Sequence, residues 1–231
     1  MKKLGLIGGM SWESTVSYYQ MINRAVNEKL GGFHSAKILL SSVDFAEIER
    51  LQRAQAWCEM ATLLHAEAKA LTAAGADAIV ICTNTMHKVA DEVASNLPVP
   101  LLHIADATGA VLVNANVKKV GLLGTKFTME QTFYTERLTS SFDIDVIVPP
   151  QHERDIIHNV IYDQLCKGVI CTESRKAYIN IIDGLASEGA EGVILGCTEI
   201  ALLVQQSHTA IRLYDTTAIH AAAAVDFAVD V

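Results

Sequence analysis

Short, uninterrupted apolar runs alternate along this chain with longer stretches in which apolar residues recur every three or four positions. A run predicts a strand buried on both faces, and the recurring pattern predicts an amphipathic helix. Strands are predicted at 4–7, 37–43, 78–82, 101–104, 143–148 and 211–214, and within 118–125 and 189–198. Helices are predicted after the glycine turn at 8–10, from the end of a loop at 44–53 to residue 74, from residue 84 to 97, near 129–141, 153–167 and 172–188, and at 218–229. This alternation predicts an α/β fold with parallel sheets.

Two pairs of matching stretches indicate an internal duplication. Residues 75–84 match residues 189–198 without a gap, at an offset of 114, and residues 2–9 match residues 118–125 at an offset of 116. Near-equal offsets at two independent places predict two similar lobes, each a mainly parallel sheet flanked by helices. The expected lobes are residues 1–112 with 209–231, and residues 113–208.

Composition restricts the class of protein. The chain has 231 residues, 51% apolar and 19% charged, with a net charge of -8, which predicts a soluble globular protein and disfavours nucleic acid as a partner. No apolar run approaches the roughly 18 residues that a membrane helix needs. The start, residues 1–7, imitates a signal peptide, but its apolar part is too short, so we expect a cytoplasmic protein. Five irregularly spaced cysteines argue against a disulfide framework and a zinc site.

The first strand runs into a turn at Gly8, Gly9 and Met10, and Ser11 or Ser14 can cap the helix that follows. Such a joint presents backbone N–H groups to an anion, although many joints of this kind are only tight turns.

Candidate chemistry lies where the third strand of each lobe ends. In the gap-free match Thr83 corresponds to Cys197, and Cys82 corresponds to Gly196. Ligands of open α/β sheets bind outside the carboxyl ends of the strands, so we expect these positions to form opposite walls of one cleft. Two such groups could remove a proton from one face of a carbon and deliver a proton to the other face. The alternative is that both cysteines are buried, inert residues at strand ends.

The chain resembles the aspartate/glutamate racemase family over essentially its whole length. The resemblance is carried by Gly8–Met10, Asn84-Thr85-x-His87, Leu122–Thr125 and Gly196–Glu199. It implies two lobes, commonly a homodimer, catalysis without pyridoxal phosphate or metal, and a pair of acid/base residues, usually both cysteines, around the α-carbon of an amino acid.

The chain departs from this family at the first acid/base residue. The family has a cysteine immediately before Asn-Thr, where this chain has Thr83, with Cys82 one residue earlier. Successive strand residues point to opposite faces, so we expect the catalytic pair to be Thr83 and Cys197. Cys82 is the alternative if the strand ends in a bulge.

Further departures concern the substrate. Aspartate-specific members of the family resemble one another in an Arg and a Lys that can hold a side-chain carboxylate. The corresponding positions in this chain are Ile48 and Cys166, with Lys167 one place off. Their absence predicts a broad or non-aspartate specificity, with uncharged amino acids such as homoserine or methionine among the candidates. Gln52 is expected to bind the substrate or, alternatively, to be a solvated residue at a helix start. The other expected substrate-binding residues are Met10, Asn84, Thr85, Thr125, Thr128 and Thr198.

These features predict an isomerase, a cofactor-independent amino-acid racemase that uses two-base proton transfer. The alternatives are an aspartate or glutamate racemase proper, a related enzyme such as hydantoin racemase, maleate isomerase or arylmalonate decarboxylase, and a sensor that binds an amino acid without converting it. The change at Thr83 is the feature that favours a sensor. His87 is expected to be structural, and His103 and His220 to be ordinary, partly buried residues.

Overall fold

The computed structural model describes residues 1–230 and divides the chain into two compact units. Unit 1 consists of Met1–Ile104 together with the segment that begins at His220, and unit 2 is Ala105–Ile219. The predicted lobes place the boundaries elsewhere, at 112 and 209, and residue 231, where the predicted first lobe ends, lies outside the described residues. None of the helices within residues 1–230 has both the length and the apolar character that crossing a membrane requires.

The first sheet has four parallel strands in the order β2-β1-β3-β4. The elements of this part of the chain are β1 (Lys3–Gly8), α1 (Trp12–Leu30), β2 (Lys37–Ser42), α2 (Phe45–Arg53), α3 (Trp57–Ala73), β3 (Ala78–Ile81), a 3₁₀ helix (Thr85–Val89), α4 (Ala90–Ala94) and β4 (Leu101–Leu102).

The segment 44–53, expected as a loop, forms the helix α2 from Phe45 onward. The side chain of Asp44 accepts a hydrogen bond from the backbone N–H of Ala46 and so caps the first turn. Ile48 and Leu51, one turn apart, are buried against unit 1. Likewise, the expected single helix over 84–97 is the 3₁₀ helix followed by the short α4.

The second sheet repeats the first, with four parallel strands in the order β6-β5-β7-β8. The remaining elements are α5 (Ile104–Asn114), β5 (Lys119–Gly124), α6 (Lys126–Glu130), α7 (Thr132–Phe142), β6 (Asp145–Ile147), α8 (Gln151–Asp163), a 3₁₀ helix (Leu165–Lys167), α9 (Thr172–Ser187), β7 (Gly192–Gly196), α10 (Ile200–Leu203), a 3₁₀ helix (Gln206–His208), β8 (Arg212–Asp215) and α11 (Thr216–Val229). Because β8 pairs with β7, residues 212–215 belong to the second sheet.

The strand register confirms the duplication. In unit 1 Ile7 lies opposite Ile81, and the residues that match them in the repeat, Leu123 and Leu195, lie opposite each other in unit 2. The α/β class with two similar parallel sheets flanked by helices is therefore correct.

The repeated Gly-Ala-acid sequence forms the same contact in both units. Gly75 and Gly189 both have a positive φ, +89° and +92°, which a side chain would strain. The acidic residue two positions on then accepts a backbone N–H from the start of the unit's first strand: Asp77 Oδ2 lies 2.6 Å from Lys3 N, and Glu191 Oε1 lies 3.1 Å from Lys119 N. In each unit this hydrogen bond holds the start of the third strand beside the start of the first strand.

Both faces of the first sheet are covered. Ile79 and Ile81 of β3 pack into a cluster with residues of α2 and α3, including Leu64. Val80 packs on the opposite face with Tyr18 of α1 and with alanines of α11. Burial on both faces explains why β3 is an uninterrupted apolar run.

Candidate functional site

The turn after β1 is closed by its own side chains. The Gly9 N–H donates to Thr15 Oγ1 at 2.8 Å, and Thr15 Oγ1 donates to the Ser11 carbonyl at 2.9 Å. A Cβ at Gly9 would lie 2.2 Å from the Val43 carbonyl oxygen, so only glycine fits there. Ser11 caps α1, as one of the two predicted residues. Because the Gly9 donor is used internally, the expected anion-binding turn lacks one of its donors.

The strand β3 continues its alternation through Cys82. The Cys82 backbone N–H donates to the Ile7 carbonyl at 2.9 Å, which extends the pairing of β1 and β3 by one residue. The Cys82 side chain is fully buried in the same cluster as Val80, two residues earlier. Burial raises the pKa of the Cys82 thiol far above its usual value. Thr83, the next residue, is only partly buried.

A short polar segment follows Thr83. Asn84 and Thr85 are buried, and the Nδ1 of His87 lies 2.8 Å from the Thr83 carbonyl oxygen. Since a carbonyl can only accept, His87 carries its proton on Nδ1 and donates it to Thr83. His87 therefore fixes the backbone at Thr83, in agreement with its predicted structural role.

Three histidines from distant parts of the sequence meet behind this segment. The ring centres of His87 and His103 are 4.6 Å apart, and those of His87 and His220 are 5.5 Å apart. His220 Nε2 donates to the Leu102 carbonyl at 2.7 Å, so its Nδ1 accepts from the Tyr18 hydroxyl at 2.9 Å. All three rings are buried, so the expectation that His103 and His220 are only partly buried is wrong.

Two histidines of this cluster, His87 and His220, are held in their neutral form. Burial lowers the pKa of His220 to about 4, against the pull of its hydrogen bond to Leu102. Burial also lowers the pKa of His87 well below its usual value, and the neighbouring His103 and His220 lower it further. A proton on either of these two rings would leave a charge in the protein interior.

The protein is therefore expected to lose stability in acid, beginning at a pH above the one at which carboxylates become protonated. Between pH 6.5 and pH 4 the unfolded chain binds a proton on His220 that the folded chain does not, so stability falls as pH falls, by about 3 kcal/mol for this group. Urea unfolding at several pH values measures the slope. His220→Gln should reduce the slope by one proton, whereas His34→Gln, at an exposed position, should not. Equal slopes in all three proteins would refute this account.

The predicted substrate-binding residues of unit 1 are buried. Met10 is 4% exposed and packs in one core cluster with Ile48. Gln52 is 4% exposed and lies at the end of α2, so the alternative interpretation as a solvated residue at a helix start is wrong. Ile48 has no exposed surface, and its side chain presents no cation.

In unit 2, a carboxylate joins two thiols and a hydroxyl at the end of β7. Glu199 is buried, and its Oε2 accepts hydrogen bonds from the Cys197 thiol at 3.0 Å and from the Thr198 hydroxyl at 2.6 Å. The Cys166 sulfur lies 4.0 Å from the other carboxylate oxygen. The Lys167 ammonium pairs with Asp163 at 3.7 Å.

This environment keeps Cys197 protonated. Burial raises the pKa of the Cys197 thiol well above its usual value, and the negative charge of Glu199 and the neighbouring Cys166 raise it further. At neutral pH Cys197 is therefore present as the thiol. In the sequence, Glu199 stands out only as the last residue of the Gly196–Glu199 motif. A carboxylate two residues after a thiol at a strand end was the signal that could have identified it.

The two predicted threonines after β5 form a small cap. Thr125 caps α6 by accepting the Thr128 N–H at 3.3 Å, and the two hydroxyls lie 3.2 Å apart. A Cβ on Gly124 would lie 3.0 Å from the Gly196 carbonyl oxygen, so the ends of β5 and β7 approach closely. The structure thus brings Thr125 and Thr128 to the strand end that precedes Cys197.

Each unit thus carries a polar segment directly after the third strand of a parallel sheet, Thr83–Thr85 in one and Cys197–Glu199 in the other. A fold of this kind, with reactive groups at strand ends, is typical of enzymes acting on small molecules. The chain belongs to the Asp/Glu/Hydantoin racemase family, whose model matches residues 7–224. The resemblance read from the sequence is confirmed.

Individual relatives support this assignment. A candidate Asp/Glu racemase from Yersinia pestis, known as a crystal structure, is 53% identical with a TM-score of 0.93, and all of both chains is covered. An aspartate racemase homologue from Pyrococcus horikoshii is 34% identical with a TM-score of 0.87, again over all of both chains. A glutamate racemase from a Sulfurihydrogenibium species is 33% identical over 139 residues, which are 55% of this chain but only 48% of that protein. The chain thus spans about half the length of that relative.

Proposed function

We propose that the protein is an amino-acid racemase that works without pyridoxal phosphate and moves the α-proton with two acid/base residues. The observation that carries the proposal is the hydrogen-bonded pair of Cys197 and Glu199 at the end of β7, in a member of a racemase family. Abstraction of an α-proton requires a base, and a thiol in contact with a proton acceptor can supply one.

In this mechanism Cys197 and Glu199 act together. The Cys197 thiol passes its proton to Glu199 Oε2, and the thiolate removes the α-proton of the substrate, which restores the thiol. The Thr83 hydroxyl then gives a proton to the opposite face of the α-carbon. The alkoxide left on Thr83 and the proton held by Glu199 are neutralised through water, which closes the cycle.

The position of Cys82 supports Thr83 as the second group. The Cys82 side chain lies in the core on the same side of the strand as Val80, so it points away from the side on which Thr83 lies. The His87 hydrogen bond to the Thr83 carbonyl gives Thr83 a fixed backbone.

The substrate is proposed to be an amino acid other than aspartate, or a broad range of amino acids. Ile48 stands where an arginine would hold a side-chain carboxylate, and Cys166 stands where a lysine would do so, with Lys167 one place off. The remaining polar groups, among them the Gln52 amide, suit uncharged side chains and the α-carboxylate. The proposed substrate-binding residues are Met10, Gln52, Asn84, Thr85, Thr125, Thr128 and Thr198.

Solvent exchange tests the proposal. The purified protein is incubated with single L-amino acids in deuterated water, and loss of the α-proton and of optical rotation are followed together. We expect both losses for at least one uncharged amino acid. Absence of exchange with every amino acid, combined with saturable binding of one of them, would identify a sensor instead.

Glu199→Gln is expected to change two observables in opposite directions. Removing the negative charge lowers the pKa of the Cys197 thiol, so alkylation of Cys197 by iodoacetamide at neutral pH should become faster. Racemisation should slow by about a hundredfold because the proton acceptor is lost. Glu188→Gln, at an exposed position of unit 2, is the matched control and should change neither. Faster alkylation with unchanged racemisation would show that Glu199 acts only through its charge.

A further inference from the structure

A cavity of about 410 Å³ lies on unit 1, outside the residues proposed for catalysis. One wall is a single face of α3, with Trp57, Cys58 and His65, and the other wall is formed by Val89 and Glu92. This volume is within the range of small-molecule sites. The buried part of the wall, at Val89, is apolar, and Glu92 and Cys58 at the rim are exposed.

Two side chains of α3 in this lining, His65 and Thr62, offer hydrogen-bond acceptors. His65 Nδ1 lies 2.9 Å from the Val93 carbonyl and donates to it, which leaves the Nε2 lone pair as an acceptor. The Thr62 hydroxyl donates to the Cys58 carbonyl at 2.9 Å, so its oxygen also remains an acceptor. A ligand that bonds to these two side chains therefore brings N–H or O–H donors.

Charge narrows the ligand further. Glu92 is the charged residue of the lining, and within residues 1–230 its carboxylate forms no ion pair. The nearby Lys88 does not line the cavity, and its ammonium lies 3.9 Å from the centre of the Trp57 ring. The Glu92 carboxylate repels an anion and attracts a cation, while the Lys88 ammonium adds a positive charge beside Trp57.

We propose that this cavity, between α3 and residues 89–96, binds a small organic ammonium ion with an apolar body. The apolar body lies against Trp57 and Val89, and the ammonium donates to Glu92 and His65. Val89 is the last residue of the 3₁₀ helix that also carries His87, the residue bonded to the Thr83 carbonyl. The ligand thus contacts the element that positions Thr83.

The test uses benzylammonium as the probe, with benzyl alcohol and benzoate as the neutral and anionic analogues. Trp57 is the single indole reporter in a Trp12→Phe background, since the chain has two tryptophans. Protection of the exposed Cys58 from iodoacetamide, followed by peptide mass spectrometry, places the probe in the cavity. We expect benzylammonium to change the Trp57 fluorescence and to protect Cys58, and the two analogues to bind at least on the order of tenfold more weakly.

Charge variants then define the site. Glu92→Gln should weaken benzylammonium binding on the order of tenfold, and Lys88→Gln should strengthen it. Glu28→Gln on α1 changes the net charge by the same amount as Glu92→Gln at a distant exposed position and should have no effect. The proposal is overturned by equal binding of the alcohol, by benzoate binding that depends on Lys88, or by no protection of Cys58 at millimolar probe. Binding is measured without any racemase assay, so this outcome is independent of the proposed function.

Discussion

Cys197→Ser is expected to abolish racemisation while the fold remains intact. A serine hydroxyl is a much weaker acid than a thiol, so the variant can neither protonate the α-carbon efficiently nor become the base that Glu199 generates from a thiol. Loss of one acid/base group typically costs between about 10²- and 10⁴-fold. We expect the rate of α-proton exchange in deuterated water to fall by at least about a hundredfold.

Two controls separate chemistry from structure in this experiment. Circular dichroism and urea unfolding should match the unchanged protein, because oxygen replaces sulfur at a partly buried position. Cys171→Ser, at another thiol of unit 2, should leave the rate unchanged. Activity above about a tenth of the original in Cys197→Ser would remove this residue from the mechanism.

Thr83→Ala is expected to suppress racemisation by about a hundredfold and yet to leave exchange with one enantiomer. Cys197 and Glu199 can still remove the α-proton that faces them, so that enantiomer should take up deuterium without inversion. The other enantiomer presents its α-proton to position 83, where the variant has no acid/base group. Exchange and optical rotation, measured separately for both enantiomers, distinguish this result from general inactivation.

The matched substitution one residue earlier, Cys82→Ala, decides whether Cys82 or Thr83 is the first acid/base residue. Cys82→Ala removes a sulfur atom from the core and should cost about 1 kcal/mol of stability with little effect on turnover. Thr83→Cys should raise turnover in the slower direction, with kcat and KM changing together, because kcat/KM must stay equal in the two directions at a racemic equilibrium. If Cys82→Ala inactivates the enzyme and Thr83→Ala is silent, the site uses two cysteines and the assignment of Thr83 is wrong.

The duplication could be predicted because two pairs of stretches match at near-equal offsets. The strands could be predicted because a strand such as β3, covered on both faces, must be apolar throughout. The same regularity predicted that Cys82 and Thr83 face opposite ways, and the core position of Cys82 follows this alternation. The helix α2 was missed because four of its nine residues are charged. Its stability depends on burial of Ile48 and Leu51 by the rest of unit 1, which a local pattern does not reveal.

The contacts that sequence could not provide connect distant positions. Cys166 and Glu199 are separated by 33 residues, and Tyr18 and His220 by 202. Neither spacing corresponds to a helix or strand period, so only the fold brings these groups together. Predictions for Thr83, Cys197 and the threonines depended instead on the ends of strands, which the sequence does mark.

The chain order of unit 1 has a consequence for how the protein is made. The cluster around Leu4 and Leu6 is completed by Ala221, Ala224 and Val225 of α11, which a ribosome synthesises only after all of unit 2. Unit 2 is a continuous segment and can fold as soon as it emerges. One face of the unit 1 sheet therefore remains partly uncovered until α11 has been synthesised. During translation, unit 2 is expected to reach its native state before unit 1.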